Sequence, residues 1–249
     1  MTLRPSLLPI LAIALFAAQA APAQDAMTEA ERTAFRAEVR AYLLENPEVL
    51  MEAIGVLEAR EQTAQAQTDS EMAQVNADAL FNDGYSYVGG NPDGDITLVE
   101  FMDYRCGYCK QAFAEVEELL SADGNIRFIV KEFPILGEQS VLAAQFAVAV
   151  QQLHGDDDYK LVHDALMTMR SDVTSDSLSR LASGFDLEWA PILAQMSSAE
   201  VAEVLQANQL LAQRLQISGT PTFVLEDQML RGYVPLAQMQ QLVDATRME

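Results

Sequence analysis

Residues 96–110 read ITLVEFMDYRCGYCK. Ile96 to Met102 is apolar except at Thr97 and Glu100, the pattern of a buried strand. Cys106-Gly107-Tyr108-Cys109 follows where this strand hands over to a helix, predicted from about Cys106 to Leu120. Ser121 to Asn125 supplies turn residues that end the helix, and Ile126 to Phe133 reads as the next strand. The result is a βαβ unit around a Cys-x-x-Cys pair. Upstream, Tyr85 to Val88 reads as a short strand, followed by dense turn chemistry from Gly89 to Asp95. Downstream, residues 138–217 keep a helical period, with Leu142, Phe146, Val150 and Leu153 on one stripe. Thr222 to Leu225 and Met229 to Tyr233 read as strands joined at Glu226-Asp227-Gln228. Pro235 opens a last helix. The fold class is α/β.

The cysteine spacing carries chemistry. Two cysteines three apart at a helix start can close a small, strained disulfide ring, which oxidises better than a structural one. Cys106 meets the positive end of the helix dipole and unpaired N–H groups, which favour thiolate over thiol. Arg105 and Lys110 flank the pair and are expected to push the same way. Cys109, one turn inside, is shielded and fits a resolving thiol. Cys106 is then the nucleophile of an exchange through a mixed disulfide. Two other readings exist. A structural disulfide over so short a loop constrains little of the unfolded chain. A two-thiolate clip for Cu(I) suits soft ligands.

The 249 residues carry 37 acidic and 15 basic side chains, a net charge of −22. Such a chain is repelled by phosphate backbones, so nucleic acid is excluded as a partner. With two cysteines and two histidines, a zinc site of four Cys/His ligands would need every one of them, so no metal site is assigned. His154 and His163 read as packing or surface residues and Trp189 as core. Asp156-Asp157-Asp158 reads as a solvated loop.

Residues 1–23 have one arginine, an apolar run from Leu7 to Ala18 and small residues before Ala23, the pattern of a signal peptide cleaved near Ala23. Export would place the cysteines in an oxidising compartment, and the periplasm is the expected one. Residues 24–82 read as a helical arm. Thr28 and Glu31 fit a capping box, and Phe35, Val39, Tyr42 and Leu43 form an apolar stripe. Asn46-Pro47 breaks and restarts the helix, after which Leu50, Ile54 and Leu57 share a face. The arm cannot build a core alone and must pack on the rest of the chain or on another copy.

The stretches ITLVEFMDYRCGYCK, IVKEFPILG and GTPTFVL resemble the DsbA family of exported thiol–disulfide oxidoreductases. The arm is similar to that of its ScsC branch, whose arms assemble into oligomers. The resemblance implies a thioredoxin-like fold over residues 83–249, with an inserted helical block at about 138–217 and an oligomerisation arm at 24–82. It implies that Cys106 attacks, that Cys109 is buried, and that Thr220-Pro221 is the cis-proline loop facing them. Glu100 resembles a buried acid that relays a proton to or from Cys109, and Lys131 is expected to pair with it. Phe113 stands where some relatives carry another acid. Gly107-Tyr108 between the cysteines and Thr220 before the proline resemble the choices of the DsbC disulfide isomerases. The implied function is therefore disulfide isomerisation in cysteine-containing exported clients, without an organic cofactor and with a membrane redox partner. Disulfide oxidase and copper-handling protein are the alternatives.

Overall fold

The computed structural model describes residues 27–248, and the expected signal peptide at 1–23 lies outside the described residues. The chain forms two compact units that divide between Glu58 and Ala59.

The first unit holds α1 (Glu29–Glu45) and the start of α2 (Glu48–Val75). Thr28 caps α1 in a complete capping box with Glu31, as its spacing predicts. No residue of α1 is buried. Phe35, Val39, Tyr42, Leu50, Ile54 and Leu57 are all exposed.

The second unit holds the rest of α2 and the short α3 (Ala77–Phe81) and is built on five strands: β1 (Tyr87–Gly90), β2 (Ile96–Met102), β3 (Ile126–Glu132), β4 (Thr222–Leu225) and β5 (Gln228–Arg231). They stand in the order β1-β3-β2-β4-β5. Only β2 and β3 run parallel; the other pairs are antiparallel. A parallel pair needs a crossover, and α4 (Gly107–Asp123) supplies it. Gly124 ends α4 in the left-handed conformation, at φ +72°, where glycine carries no Cβ penalty.

Both faces of the sheet are covered, which is why β2 lacks a simple alternation. Leu98, Met102, Phe128 and Val130 face the core shared with α4 and the inserted helices. Val99, Phe101 and Ile129 face the other way, against Ala73, Leu80, Leu211 and Leu215. The inserted block comprises α5 (Glu138–His154), α6 (Asp156–Thr168), α7 (Ser175–Gly184), α8 (Trp189–Met196) and α9 (Ala199–Arg214), and α10 (Leu236–Thr246) closes the chain.

Several local expectations shift. Asp83 accepts the N–H groups of Tyr85 and Ser86, so the chain turns there and β1 starts later than Tyr85. Asp156 to Asp158 form the first turn of α6, where acids suit the dipole, rather than a loop. His163 is buried. Residues 59–82, read as part of the arm, belong to the second unit: Ala73 and Leu80 are fully buried there, and Asp69 pairs with Arg231 of β5 at 2.7 Å.

Candidate active site

Cys106 is the N-cap of α4. Its sulfur accepts the N–H of Cys109 at 3.4 Å, and its S–H donates to the Thr220 carbonyl at 3.2 Å. Cys106 keeps 7% of its surface exposed, while Cys109 is fully buried. Both are free thiols. The Thr220-Pro221 peptide is cis. The loop that carries it is held by Gly232 N–H on the Pro221 carbonyl at 2.9 Å and by the Thr222 hydroxyl on the Gly219 carbonyl at 2.8 Å. The sheet explains the meeting: β2 delivers the cysteines, β4 delivers the proline, and the two strands are hydrogen-bonded neighbours.

The Cys106 thiol is drawn down from the ordinary 9.0 to about 5, first by its hydrogen bond with the Cys109 side chain. Burial opposes this, and hydrogen bonds from the Thr220 side chain and from the N–H groups of Cys109 and Tyr108 reinforce it. Cys109 goes far upward: its proton is held on the Cys106 sulfur, burial adds to this, and Glu100 adds negative charge nearby. One sulfur is poised as a nucleophile and its neighbour is kept protonated.

The flanking cations do not act as expected. Arg105 donates to the Ser171 carbonyl, and Lys110 donates to the Leu166 and Met169 carbonyls. Lys110 spends its charge on the C-terminal end of α6 and Arg105 on the loop between α6 and α7, where Asp172 also lies 3.7 Å away, and hydrogen bonds do the work at Cys106. The turn itself is set by Asp103. One of its carboxylate oxygens accepts Arg105 N–H at 2.7 Å, and the other accepts Ile135 and Leu136 N–H at 2.8 and 3.0 Å.

Glu100 is buried on the α4 face of β2, and its Oε1 has no hydrogen-bond partner. Burial pushes it up to about 8, helped by the negative charge of Cys106, Glu117 and Glu132. Lys131 does not pair with it. Lys131 stands opposite Phe101 in the register and Glu100 opposite Val130, so strand alternation sends the two to opposite faces. Lys131 bonds Asp83 and the Ala79 carbonyl instead. Burial alone would raise Asp83, but Lys131 and the Ser86 hydrogen bonds together hold it below its ordinary value.

Around the thiol, a Cβ on Gly107 would meet nothing within 4 Å. Tyr108 is 62% exposed and stacks on Tyr233, with ring centroids 6.4 Å apart. Tyr233 donates to Glu115 at 2.5 Å, which fixes that ring. Phe113 packs edge-on against His163. Asp103, Tyr104, Glu132 and Tyr233 escaped the sequence reading. Asp103 left a signal, an Asx-type turn residue at a strand end. Tyr104 and Glu132 left none, since only the sheet register brings them together.

Residues 97–244 match the DSBA-like thioredoxin domain. Residues 31–64 match the N-terminal domain of the copper resistance protein ScsC. The chain is similar to a thioredoxin-like oxidoreductase from Silicibacter pomeroyi DSS-3, with 41% identity, a TM-score of 0.66, and coverage of 70% of this chain and 99% of that one. It is also similar to a linker-deletion mutant of Proteus mirabilis ScsC, with 26% identity, a TM-score of 0.66, and coverage of 90% and 98%. Among curated relatives it is 27% identical over 147 residues, 59% of its length, to Na(+)/H(+) antiporter NhaA 1 of Salinispora arenicola, and spans 22% of that protein. The match over residues 97–244 covers more than half of the chain, and with the ScsC-type arm ahead of it the chain belongs to the DsbA family, in its ScsC-like branch.

Proposed function

We propose that the chain is a periplasmic thiol–disulfide oxidoreductase that rearranges disulfides in cysteine-containing exported proteins. The observation that carries this is the Cys106 sulfur, capping α4 and resting 3.2 Å from the carbonyl that precedes cis-Pro221. The Cys106 thiolate attacks one sulfur of a client disulfide. The Cys106–client bond forms as the client S–S bond breaks, and the second client sulfur leaves as thiolate. In isomerisation another client thiolate attacks the client sulfur of the mixed disulfide, and Cys106 leaves unchanged. No electrons are gained or lost overall. When a client stalls, Cys109 passes its proton to the Glu100 carboxylate and attacks Cys106. The client leaves reduced by two electrons, and the pair, now a disulfide, is re-reduced by a membrane redox partner.

Gly107, Tyr108 and Thr220 support the isomerase reading through their resemblance to the DsbC disulfide isomerases. Backbone groups at Thr220-Pro221 would pair with the client strand. The exposed stripe of α1 supports assembly of the arm, now confined to residues ahead of Ala59, on further copies of the chain, so that several thiols face one client. A second reading, disulfide oxidase, is supported by the stabilised Cys106 thiolate, since a favoured reduced form makes its disulfide oxidising. Reactivation of scrambled ribonuclease in a glutathione buffer separates the two. Isomerisation gives recovery above buffer that Cys106→Ala abolishes. An oxidase gives no recovery but oxidises a reduced peptide rapidly. Copper handling, suggested by the relatives of the arm, requires Cu(I) binding that disappears in the Cys106→Ser, Cys109→Ser variant.

A further inference from the structure

On the sheet face that carries Glu100 lies a second buried acid that the exchange chemistry above leaves unused. Glu132 ends β3 and is buried. Its Oε1 accepts two phenol O–H groups, Tyr104 at 2.6 Å and Tyr159 at 2.7 Å. Tyr104 also lies 3.0 Å from His163 Nδ1. Burial holds His163 down to about 3, so its ring is neutral, and with the Tyr104 proton directed to Glu132 the Tyr104 oxygen accepts from the Nδ1–H tautomer. Asn208 of α9 donates to the Glu132 carbonyl at 3.1 Å. The cluster thus ties β3, α6 and α9 to Tyr104, two residues before the nucleophile.

Glu132 shares a sheet face with Glu100. It stands opposite Met102 in the register and Glu100 opposite Val130, so the two are diagonal neighbours about 8 Å apart along the backbone. Each has a buried oxygen without a partner, Glu100 Oε1 and Glu132 Oε2. Among the described residues no cation pairs with either.

We propose that Glu132 is a positioning residue for thiol–disulfide exchange, acting on Cys106 through Tyr104 and on Glu100 across the buried sheet face they share. The first action is mechanical: the turn presenting Cys106 is moored by a phenol that cannot leave Glu132 without stranding buried polar groups. The second is electrostatic: two carboxyls on one dry face do not ionise independently. The groups facing Glu132 are Tyr104 and Asp103 from the turn, Glu100 from β2, Tyr159 and His163 from α6, and Asn208 from α9. None supplies a positive charge, so charge on Glu132 makes Glu100 a harder acid to ionise.

The inference rests on the proposed exchange at Cys106 and Cys109, and its test is separable from it. In the full chain, Glu132→Gln keeps an oxygen for both phenols and removes the charge. The readout is the pH dependence of glutathione release from a Cys106–glutathione mixed disulfide, the step in which Cys109 must lose its proton. The wild-type rise should spread over two steps. In Glu132→Gln it should contract to one step and move down by about one pH unit. Tyr104→Phe should slow attack of Cys106 on glutathione disulfide about tenfold at every pH, the worth of one such hydrogen bond, with its thiolate absorbance unchanged. A Glu132→Gln profile superimposed on wild type, or an unaltered rate in Tyr104→Phe, overturns the proposal. If Glu132→Gln fails to fold, carbon-13 titration of the wild-type glutamate carboxyls decides. Two-step curves for Glu100 and Glu132 support coupling, and independent single steps overturn it. That titration needs no exchange activity, so it stands even if Cys106→Ala leaves the ribonuclease assay unchanged.

Discussion

At Cys106 the fold stabilises a thiolate with hydrogen bonds rather than with neighbouring cations. Arg105 and Lys110 are turned to carbonyls at the end of α6 and in the loop after it, where they brace the turn. The Cys109 thiol, the Thr220 side chain and two backbone N–H groups remain to hold the charge. Losing one of them is measurable. Thr220→Val keeps the backbone carbonyl and the loop but removes the hydroxyl. The Cys106 thiolate, followed by its ultraviolet absorbance, should then titrate about one unit above its present value near 5. No change would mean that the backbone groups and Cys109 suffice. Glu100 differs from Cys106 in kind. Its Oε1 lacks a partner and its carboxyl is pushed up to about 8, so most of it is protonated at neutral pH and only its ionised fraction accepts the proton of Cys109.

Among the elements, α4 does most to define the site, and both its ends are specified locally. The first turn is capped by the nucleophile itself, and the last closes on Gly124 at φ +72°. An alanine Cβ at Gly124 would meet nothing within 4 Å, so Gly124→Ala should cost only backbone strain, about 1 kcal/mol. Urea unfolding should show a lower midpoint at unchanged slope. Helix α1 is the contrary case. Its capping box is complete, yet its apolar stripe is exposed, with Phe35 at 59%. Such a stripe gains nothing until another surface removes it from water. Sedimentation should find the chain assembled, and Phe35→Glu with Val39→Glu should return single copies with intact helicity. A wild-type chain that sediments as one copy would remove the assembly reading.

For the whole molecule, the perturbed thiol links redox state to stability. Cys106 titrates lower in the folded protein than in the unfolded chain, so the reduced form gains stability that is complete above the ordinary thiol value of 9.0. That gain shrinks as pH falls and is gone below about 5. The disulfide form has no such thiolate. The stability of the reduced form relative to the oxidised form should therefore fall between pH 9 and pH 5, measured by paired denaturant titrations. A constant difference would show that the thiolate is not stabilised by the fold. Much of this protein was legible in its sequence. Residues 96–102 are apolar except at Thr97 and Glu100 and follow dense turn chemistry, as a strand buried on both faces does, and β2 spans Ile96–Met102. Gly124 and Asn125 after Asp123 are turn residues, and the glycine takes the left-handed C-cap that ends α4. The Cys-x-x-Cys spacing at a strand-to-helix change places one sulfur at an N-cap by local geometry alone. These are short-range effects, set by backbone sterics and periodicity. The partner of Lys131, the orientation of Arg105 and Lys110, and the meeting of Tyr104 with Glu132 and His163 were decided only in three dimensions. Lys131 reaches Asp83 because β3 pairs with β2 in one register and not its neighbour, and Tyr104 meets residues 28 and 59 positions away. A local pattern says which face is buried, whereas tertiary packing alone says which polar groups must satisfy one another there.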